Sequence, residues 1–241
     1  MKYLVTGSAG LIGNQIVHDL EKSGEIVYSS YNNVKPVNGI PIKLNLLNLE
    51  DIRKTFQKIQ PDIIIHSAAL TDVEKCEIEL ELANSINVKA TEVIAKEVEK
   101  TNSYLMYIST DYIFDGKKGL YKETDSINPL NNYGKTKLLG EKIIENNTSK
   151  WSIVRTSTPF GVHSLKKTFP VWVYENLKNN KKINVLEDQF TSPTYVPNLS
   201  KMILEIVSRH LEGFFHLSGS TKISRFEFAK IIATMFILSK T

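Results

Sequence analysis

The chain reads as an α/β protein, a parallel sheet covered by helices on both faces with a smaller lobe after it. Two observations carry this. Short β-branched apolar runs alternate with helix-period segments from the first residues to about Thr156, and beyond that point the pattern becomes irregular and richer in Pro and Ser.

"KYLVTG" is a short apolar run that ends in glycine, the pattern of a buried parallel strand. Leu11, Ile12, Ile16, Val17 and Leu20 then recur at helical spacing up to Gly24, a natural stop. "EIVYSS" reads as a second strand, and "LEDIRKTFQKI" as an amphipathic helix ended by Pro61. "DIIIHSAA" is another buried strand. A long helix with Ala83, Ile86, Ala90, Ile94 and Val98 on one side follows it. "SYLMYIST", "YGKTKLLGEKIIEN" and "WSIVRTS" continue as strand, helix and strand. The reading divides the chain into residues 1–156 and a smaller lobe over 157–241.

Composition narrows the function. The 241 residues are 41% hydrophobic and 23% charged, which suits a globular domain with a sizeable core. The net charge of +4 comes from scattered residues, with pairs such as Lys117-Lys118 but no basic stripe, so nucleic acid is not expected as a partner. The single cysteine, Cys76, excludes an internal disulfide and suits a reducing compartment. The five histidines lack metal-ligand spacing with Cys or paired acids, and no metal is expected. The start "MKYLVTGSAG" has no signal-peptide pattern, and the apolar run Ile231 to Leu238 is too short to span a bilayer. A cytoplasmic protein without membrane contact is the expectation.

"TGSAGLIG" sets Gly7, Gly10 and Gly13 between the first strand and the first helix. Glycines there permit a tight turn and close backbone approach, and the helix N-terminus, with Leu11 and Ile12, then faces a pyrophosphate. The spacing is G-x-x-G-x-x-G, and its place at the first strand–helix junction points to dinucleotide binding in a Rossmann-type doubly wound sheet. The acid expected some ~20 residues on to hold the adenosine ribose is missing: "YSSYNN" follows, and no Asp or Glu lies between Glu25 and Glu50. Ser29, Ser30 and Asn32, with Lys35, suit a 2′-phosphate instead. NADPH is the expected cofactor, NADH the alternative.

"NNYGKTKLLGE" places Tyr133 and Lys137 at i and i+4, on one face of a helix. A phenol with an ordinary pKa near ~10 needs a neighbouring positive charge to act as an acid–base group at neutral pH, and Lys137 is placed to supply it. By itself the spacing is common enough that a half-exposed structural helix is the preferred reading.

Together, "TGSAGLIG", "SAALTDVEKCE", "STDYIFDG", "NNYGKTKLLGE", "DQFTSPTYV" and "FHLSG…SRFEFA" resemble the extended short-chain dehydrogenase/reductase superfamily. Within it the chain is similar to the dTDP-4-dehydrorhamnose reductases, in motif order from residue 2 to about residue 230. The resemblance implies a catalytic group of Thr110, Tyr133 and Lys137, with Asn87 supporting Lys137 through water. It also implies Ala68 and Ala69 as further cofactor contacts. On the sugar-nucleotide side it implies Thr71, Asp111, Phe114, Asp188, Gln189 and Pro193. The implied reaction is NADPH-dependent reduction of the 4-keto group of dTDP-4-dehydro-L-rhamnose, or a similar nucleotide-linked sugar, in dTDP-L-rhamnose biosynthesis.

Relatives with other activities are separated by single residues. Sugar-nucleotide 4,6-dehydratases carry Thr-Asp-Glu where this chain has Thr110-Asp111-Tyr112, and tyrosine cannot replace the elimination base. The absent ribose-binding acid speaks against an epimerase that retains NAD. The regulatory subunit of methionine adenosyltransferase shares the glycine turn and a similar "YGKTKL" helix, so Tyr133 and Lys137 alone do not separate enzyme from binding module. The oligomer is left open, with a homodimer as the assembly to test. Reductases of this type continue beyond the "SRFEFAKII" helix with a segment that helps close the substrate lobe. In its absence the cofactor half is expected intact and the sugar nucleotide less tightly held.

Overall fold

The computed structural model describes residues 1–163 and 167–238. In chain order β1 (Lys2–Thr6) leads through α1 (Leu11–Lys22) to β2 (Ile26–Tyr31), β3 (Ile40–Lys43), α2 (Leu49–Ile59) and β4 (Ile63–His66). Two short helices, α3 (Val73–Ile78) and α4 (Leu80–Asn84), a π-helical turn (Ser85–Lys89) and α5 (Ala90–Thr101) precede β5 (Tyr104–Thr110). Then come α6 (Asn132–Asn147), β6 (Trp151–Thr156), β7 (Pro159–Phe160), α7 (Phe169–Lys178) and β8 (Phe190–Thr191). The last elements are β9 (Thr194–Tyr195), α8 (Val196–Ser208), β10 (Gly213–His216), β11 (Ile223–Ser224) and α9 (Arg225–Leu238).

Seven strands form one parallel sheet in the order β10-β6-β5-β4-β1-β2-β3. The chain runs outward from β1 in one direction, then returns to β4 and runs outward in the other. The carboxyl ends of β1 and β4 therefore diverge at a switch point, where open α/β sheets bind ligands. Each central strand is buried on both sides, and the period of two sorts its residues into two cores. Tyr3, Val5, Ile63, Ile65 and Met106 pack with α1 and α8, whereas Leu4, Ile64, Leu105 and Tyr107 pack with α2 and α5.

Side-chain caps define the helix starts. Asn48 accepts from the amides of Glu50 and Asp51, Asp72 from Lys75, and Asn131 from Gly134 at 2.8 Å. Gly24, at φ +77°, ends the turn after α1 in a conformation that favours glycine.

Three features differ from the sequence reading. The expected long helix is interrupted by the π-turn Ser85–Lys89; Ala83, Ala90, Ile94 and Val98 are fully buried as expected, but Ile86 is only half-buried and Asn87 turns inward. β3 escaped notice because "IPIK" carries a proline, which a sheet edge tolerates. The segment after residue 156 is shared between two places. β10 pairs with β6 and α8 packs on α1, inside the central layers. The β7–β9 and β8–β11 pairs, with α7 packed on α9, stand over the strand ends.

A directed hydrogen-bond chain joins the switch point to α5. The Ala68 amide donates to Thr6 Oγ1 at 3.2 Å, and Thr6 lies 2.7 Å from His66 Nδ1. His66 Nε2 lies 3.0 Å from Thr91 Oγ1, whose proton goes to the Asn87 carbonyl. Because Thr91 donates onward, Nε2 of His66 carries a proton, and a neutral ring then accepts from Thr6 at Nδ1. Burial, reinforced by the Lys137 charge, presses its pKa down from 6.5 to about 3. The unfolded chain takes up this proton between those values and the folded chain does not, so stability should fall as pH drops below 6.5. The slope from this group is at most about 1.4 kcal/mol per pH unit down to about 3. Urea titrations over that range should show it, and His66→Gln should flatten it; an equal slope in the variant would remove His66 as its source.

Candidate active site

A cleft of about 650 Å³ opens over the carboxyl ends of the central strands. Its floor is the turn after β1. Gly7 takes φ +67°, and a Cβ there would sit 2.8 Å from the Ala68 Cα. A Cβ on Gly13 would collide with the Gly7 carbonyl, so helix α1 can approach the turn only with glycine at this position. Gly10 is exposed and is the N-cap of α1 without a side-chain capping bond. The first-turn amides of α1 thus remain available to an anion, and Gly10, Leu11 and Ile12 line the cleft. This cradle fits a dinucleotide pyrophosphate. Ser8 ties the turn to β2 through two bonds to the Ser30 carbonyl, 3.2 and 2.8 Å long.

The adenosine end is walled by Ser30, Tyr31, Asn32, Asn33 and Val34, without a carboxylate. Ser29, expected there, is fully buried and turned towards Gly39. Successive strand residues face opposite sides, so of the two serines assigned to the 2′-phosphate Ser30 lines the cleft and Ser29 does not. Lys35 is exposed and is not among the cleft-lining residues.

After β4, Ala68, Ala69 and Thr71 form the next stretch of wall. Asn87 holds this loop in place. Its Oδ1 accepts from the Leu70 amide at 2.8 Å, while its Nδ2 donates to the Leu70 carbonyl at 3.1 Å and to Thr136 Oγ1 at 3.0 Å. Its side chain thus fastens the β4 loop to α6, because the π-turn aims it between them.

Thr110 ends β5, and its hydroxyl accepts from the Tyr112 amide at 3.2 Å. Its proton is directed at Asp111 Oδ1, 3.3 Å away, and Thr110 and Tyr133 both line the cleft. Lys137 is 2% exposed, and its Nζ lies 3.9 Å from the centroid of the Tyr107 ring. Burial lowers its pKa to about 7, opposed by the charge of Glu141. The expected depression of the phenol by Lys137 does not occur. Burial holds the Tyr133 phenol above its ordinary value, with the Thr110 hydroxyl acting the other way and the Asp111 charge adding to the rise. Tyr133 therefore holds its proton at neutral pH, the form an acid catalyst needs. Burial also raises the Asp111 carboxyl, against bonds from Ser157 and Thr110.

Glu141, one turn beyond Lys137, is 2% exposed and makes a two-pronged pair with Arg155 of β6, at 3.1 Å from Nε and 2.8 Å from NH2. Ser109 of β5 donates to the same carboxylate. Phe114, expected at the substrate, packs behind this pair, stacked on Tyr121 at 4.4 Å, and does not line the cleft. Asp188 and Gln189 are exposed and lie outside the lining, because the loop carrying them is held through backbone bonds to α9. Pro193 also lies outside, with its backbone packed against Gly219.

The wall contributed by the chain beyond residue 156 was not anticipated. Thr158, Lys167, Phe169 and Arg225 line it, and Tyr112 joins them from the β5 side. Only Arg225 left a trace in the sequence. A cation at the first position of a helix opposes the helix dipole and asks for a reason. Among the described residues no group of His, Cys, Asp and Glu is arranged to hold a metal ion, and no helix is long and apolar enough to cross a membrane.

Two outcomes test this geometry. Glu141→Ala leaves the Arg155 charge buried and uncompensated, and should cost about 3–5 kcal/mol of unfolding free energy. The double variant Glu141→Leu/Arg155→Met should recover most of that in denaturant titrations; no recovery would show that Glu141 acts elsewhere. At the adenosine end, Asn32→Asp should shift relative affinity from NADPH towards NADH by repelling the 2′-phosphate, measured by fluorescence titration. An unchanged ratio would move the 2′-phosphate away from Asn32.

The chain matches the model of the RmlD substrate binding domain over residues 1–240. It is 38% identical to a solved structure described as a hypothetical dTDP-4-dehydrorhamnose reductase from Sulfolobus tokodaii, with a TM-score of 0.90 covering 98% of this chain and 82% of the other. The dTDP-4-dehydrorhamnose reductase of Bacillus anthracis, solved in complex with NADP, is 33% identical with a TM-score of 0.88, covering 97% and 80%. Methionine adenosyltransferase 2 subunit beta of Xenopus tropicalis is 32% identical, over 98% of this chain and 72% of its own length. With its parallel sheet, glycine turn and Tyr–Lys helix, the chain belongs to the RmlD substrate-binding-domain family of the extended short-chain dehydrogenase/reductases.

Proposed function

We propose that this protein reduces the 4-keto group of a nucleotide-linked 4-keto-6-deoxy sugar, with dTDP-4-dehydro-L-rhamnose as the substrate, using NADPH. The observation that carries this reading is the convergence of Thr110 and a protonated Tyr133 on a cleft whose floor is the glycine turn. The reductase with bound NADP among the similar structures supports the cofactor.

The residues divide the work. Gly10, Leu11 and Ile12 would hold the pyrophosphate, the Ser30–Val34 wall the adenosine end, and Lys137 the nicotinamide ribose. NADPH, when bound, supplies the hydride that reduces the carbonyl carbon. Thr110 orients the carbonyl oxygen through its hydroxyl, and Tyr133 gives that oxygen its proton as negative charge develops there, leaving an alcohol. The phenolate left on Tyr133 recovers its proton from solvent. Thr71 and Asp111 face the same space from the cofactor side. Thr158, Phe169 and Arg225 close it from beyond residue 156, the part assigned to the sugar nucleotide. Tyr112 occupies the position where a dehydratase needs a carboxylate base, which favours reduction.

One observation favours a second reading. The similarity to methionine adenosyltransferase 2 subunit beta covers nearly the whole chain, so a regulatory subunit with this cleft is the alternative. Absorbance of NADPH followed with dTDP-4-dehydro-L-rhamnose separates the two: substrate-dependent oxidation is expected, and its absence beside co-purification with a synthetase would favour the subunit. In the same assay Tyr133→Phe should lower turnover by at least ~10² with NADPH affinity nearly unchanged, while Lys137→Ala should harm both. Full turnover by Tyr133→Phe would remove Tyr133 from the chemistry.

A further inference from the structure

We infer that Arg225 is the anion-binding residue of the substrate side, gripping the diphosphate of the nucleotide-linked sugar; this rests on the reading of the cleft as a sugar-nucleotide site.

Arg225 lines the cleft, yet among the described residues it forms no ion pair, and its Nε is buried without a hydrogen-bond partner. Two other cations near the cleft carry ion pairs, while Lys137 lies over the Tyr107 ring. Arg155 is paired with Glu141, and Lys167 is held by Glu175 at 2.6 Å. A buried guanidinium donor without an acceptor is costly, and an anion bound in the cleft would supply one.

Its position is fixed by the fold. The Arg225 amide donates to the Gln189 carbonyl at 2.9 Å, tying the start of α9 to the strand that carries β8. The guanidinium carbon lies 4.8 Å from the centroid of the Phe169 ring, and Phe169 is braced in turn by Phe228 and Trp172. Stacking on an aromatic face leaves the edge of the guanidinium, with its donors, free to meet a planar or tetrahedral anion. Arg225 is also the first residue of α9, where the helix dipole disfavours a cation and favours an anion, so a bound anion would relieve both groups.

The choice among anions follows from the layout of the cleft. The cofactor pyrophosphate belongs to the turn after β1, and its 2′-phosphate to the wall at the end of β2. Arg225 acts electrostatically on Asp111 and Tyr112, which follow Thr110 at the end of β5. That end of the cleft takes the nicotinamide, which carries no phosphate, and the substrate beyond it. A diphosphate joined to the sugar carbon across the ring from the reacting carbonyl is the anion that reaches this wall.

Titration calorimetry with dTDP, UDP and thymidine, on protein saturated with NADPH, tests the assignment. Arg225→Met keeps the stem over Phe169 and removes the charge. It should weaken dTDP binding by roughly 10-fold or more, leave thymidine binding unchanged, and leave NADPH affinity within about twofold. Arg225→Lys should retain part of the lost affinity, which separates loss of charge from loss of fold. Equal dTDP affinity in wild type and Arg225→Met would overturn the proposal, as would a failure of the wild type to bind dTDP or UDP. A matching loss of NADPH affinity would also overturn it by assigning Arg225 to the cofactor. If dTDP binding depends on Arg225 but the keto sugar is not reduced, the anion site stands and the reductase reading falls.

Discussion

The close packing of α6 on β5 is the constraint from which the rest of the site follows. Tyr133, Lys137 and Glu141 are spaced one turn apart along this helix, so its rotation and depth decide where all three side chains point. Two glycines set the depth. A Cβ on Gly134 would collide with the Tyr112 carbonyl, and one on Gly140 with the Tyr107 hydroxyl. The buried pair of Glu141 with Arg155, joined by Ser109, sets the rotation by tying the helix to both β5 and β6. An isolated charge at this depth would be costly, so the register in which Glu141 meets Arg155 is strongly selected over its neighbours. Lys137 is thereby placed over Tyr107, and Tyr133 in the cleft that Thr110 also lines.

The loops at the switch point are held by a second, polar set of contacts. Asn87 has its amide occupied at both ends by Leu70 and by Thr136, so one side chain fastens the β4 loop to the catalytic helix. The π-turn that places it is an irregularity of the kind that functional positions favour. Beneath it, the chain of bonds from Ala68 through Thr6, His66 and Thr91 to Asn87 fixes a neutral imidazole. A protonated ring would set an Nδ1–H against the Thr6 hydroxyl proton, and would add charge close to Lys137. The floor, the loop wall and the helix are thus parts of one hydrogen-bonded unit.

The electrostatics of the cleft suit reduction. Tyr133 retains its proton because burial outweighs the Thr110 hydroxyl, and Lys137 sits close to its own titration at neutral pH because burial outweighs Glu141. Both groups are therefore sensitive to ligands that displace water or bring charge. The cations of this cleft differ in how they are balanced: Lys137 by a ring face and a distant carboxylate, Lys167 by Glu175, and Arg225 by an aromatic face alone among the contacts described.

Much of this was legible in the linear chain because it is written in local patterns. Strand runs, helix periods and glycine spacing determined the parallel sheet, the turn after β1 and the pairing of Tyr133 with Lys137, since each depends on residues within a few positions of one another. The motif order determined the family, and placed Thr110, Asp111, Thr71 and the two alanines on the cleft. Tertiary structure alone decided the features that depend on distant neighbours. Ser30 rather than Ser29 faces the adenosine end because strand phase is set by pairing, not by composition. Phe114, Asp188, Gln189 and Pro193 fall away from the cleft because packing behind Arg155 and against Gly219, and backbone bonds to α9, direct them elsewhere. Arg225 is 92 positions from Tyr133 in the chain, and no local pattern links them. Only the fold brings that cation to the cleft and leaves it without an ion pair among the described residues, because a charge is balanced by what surrounds it in space.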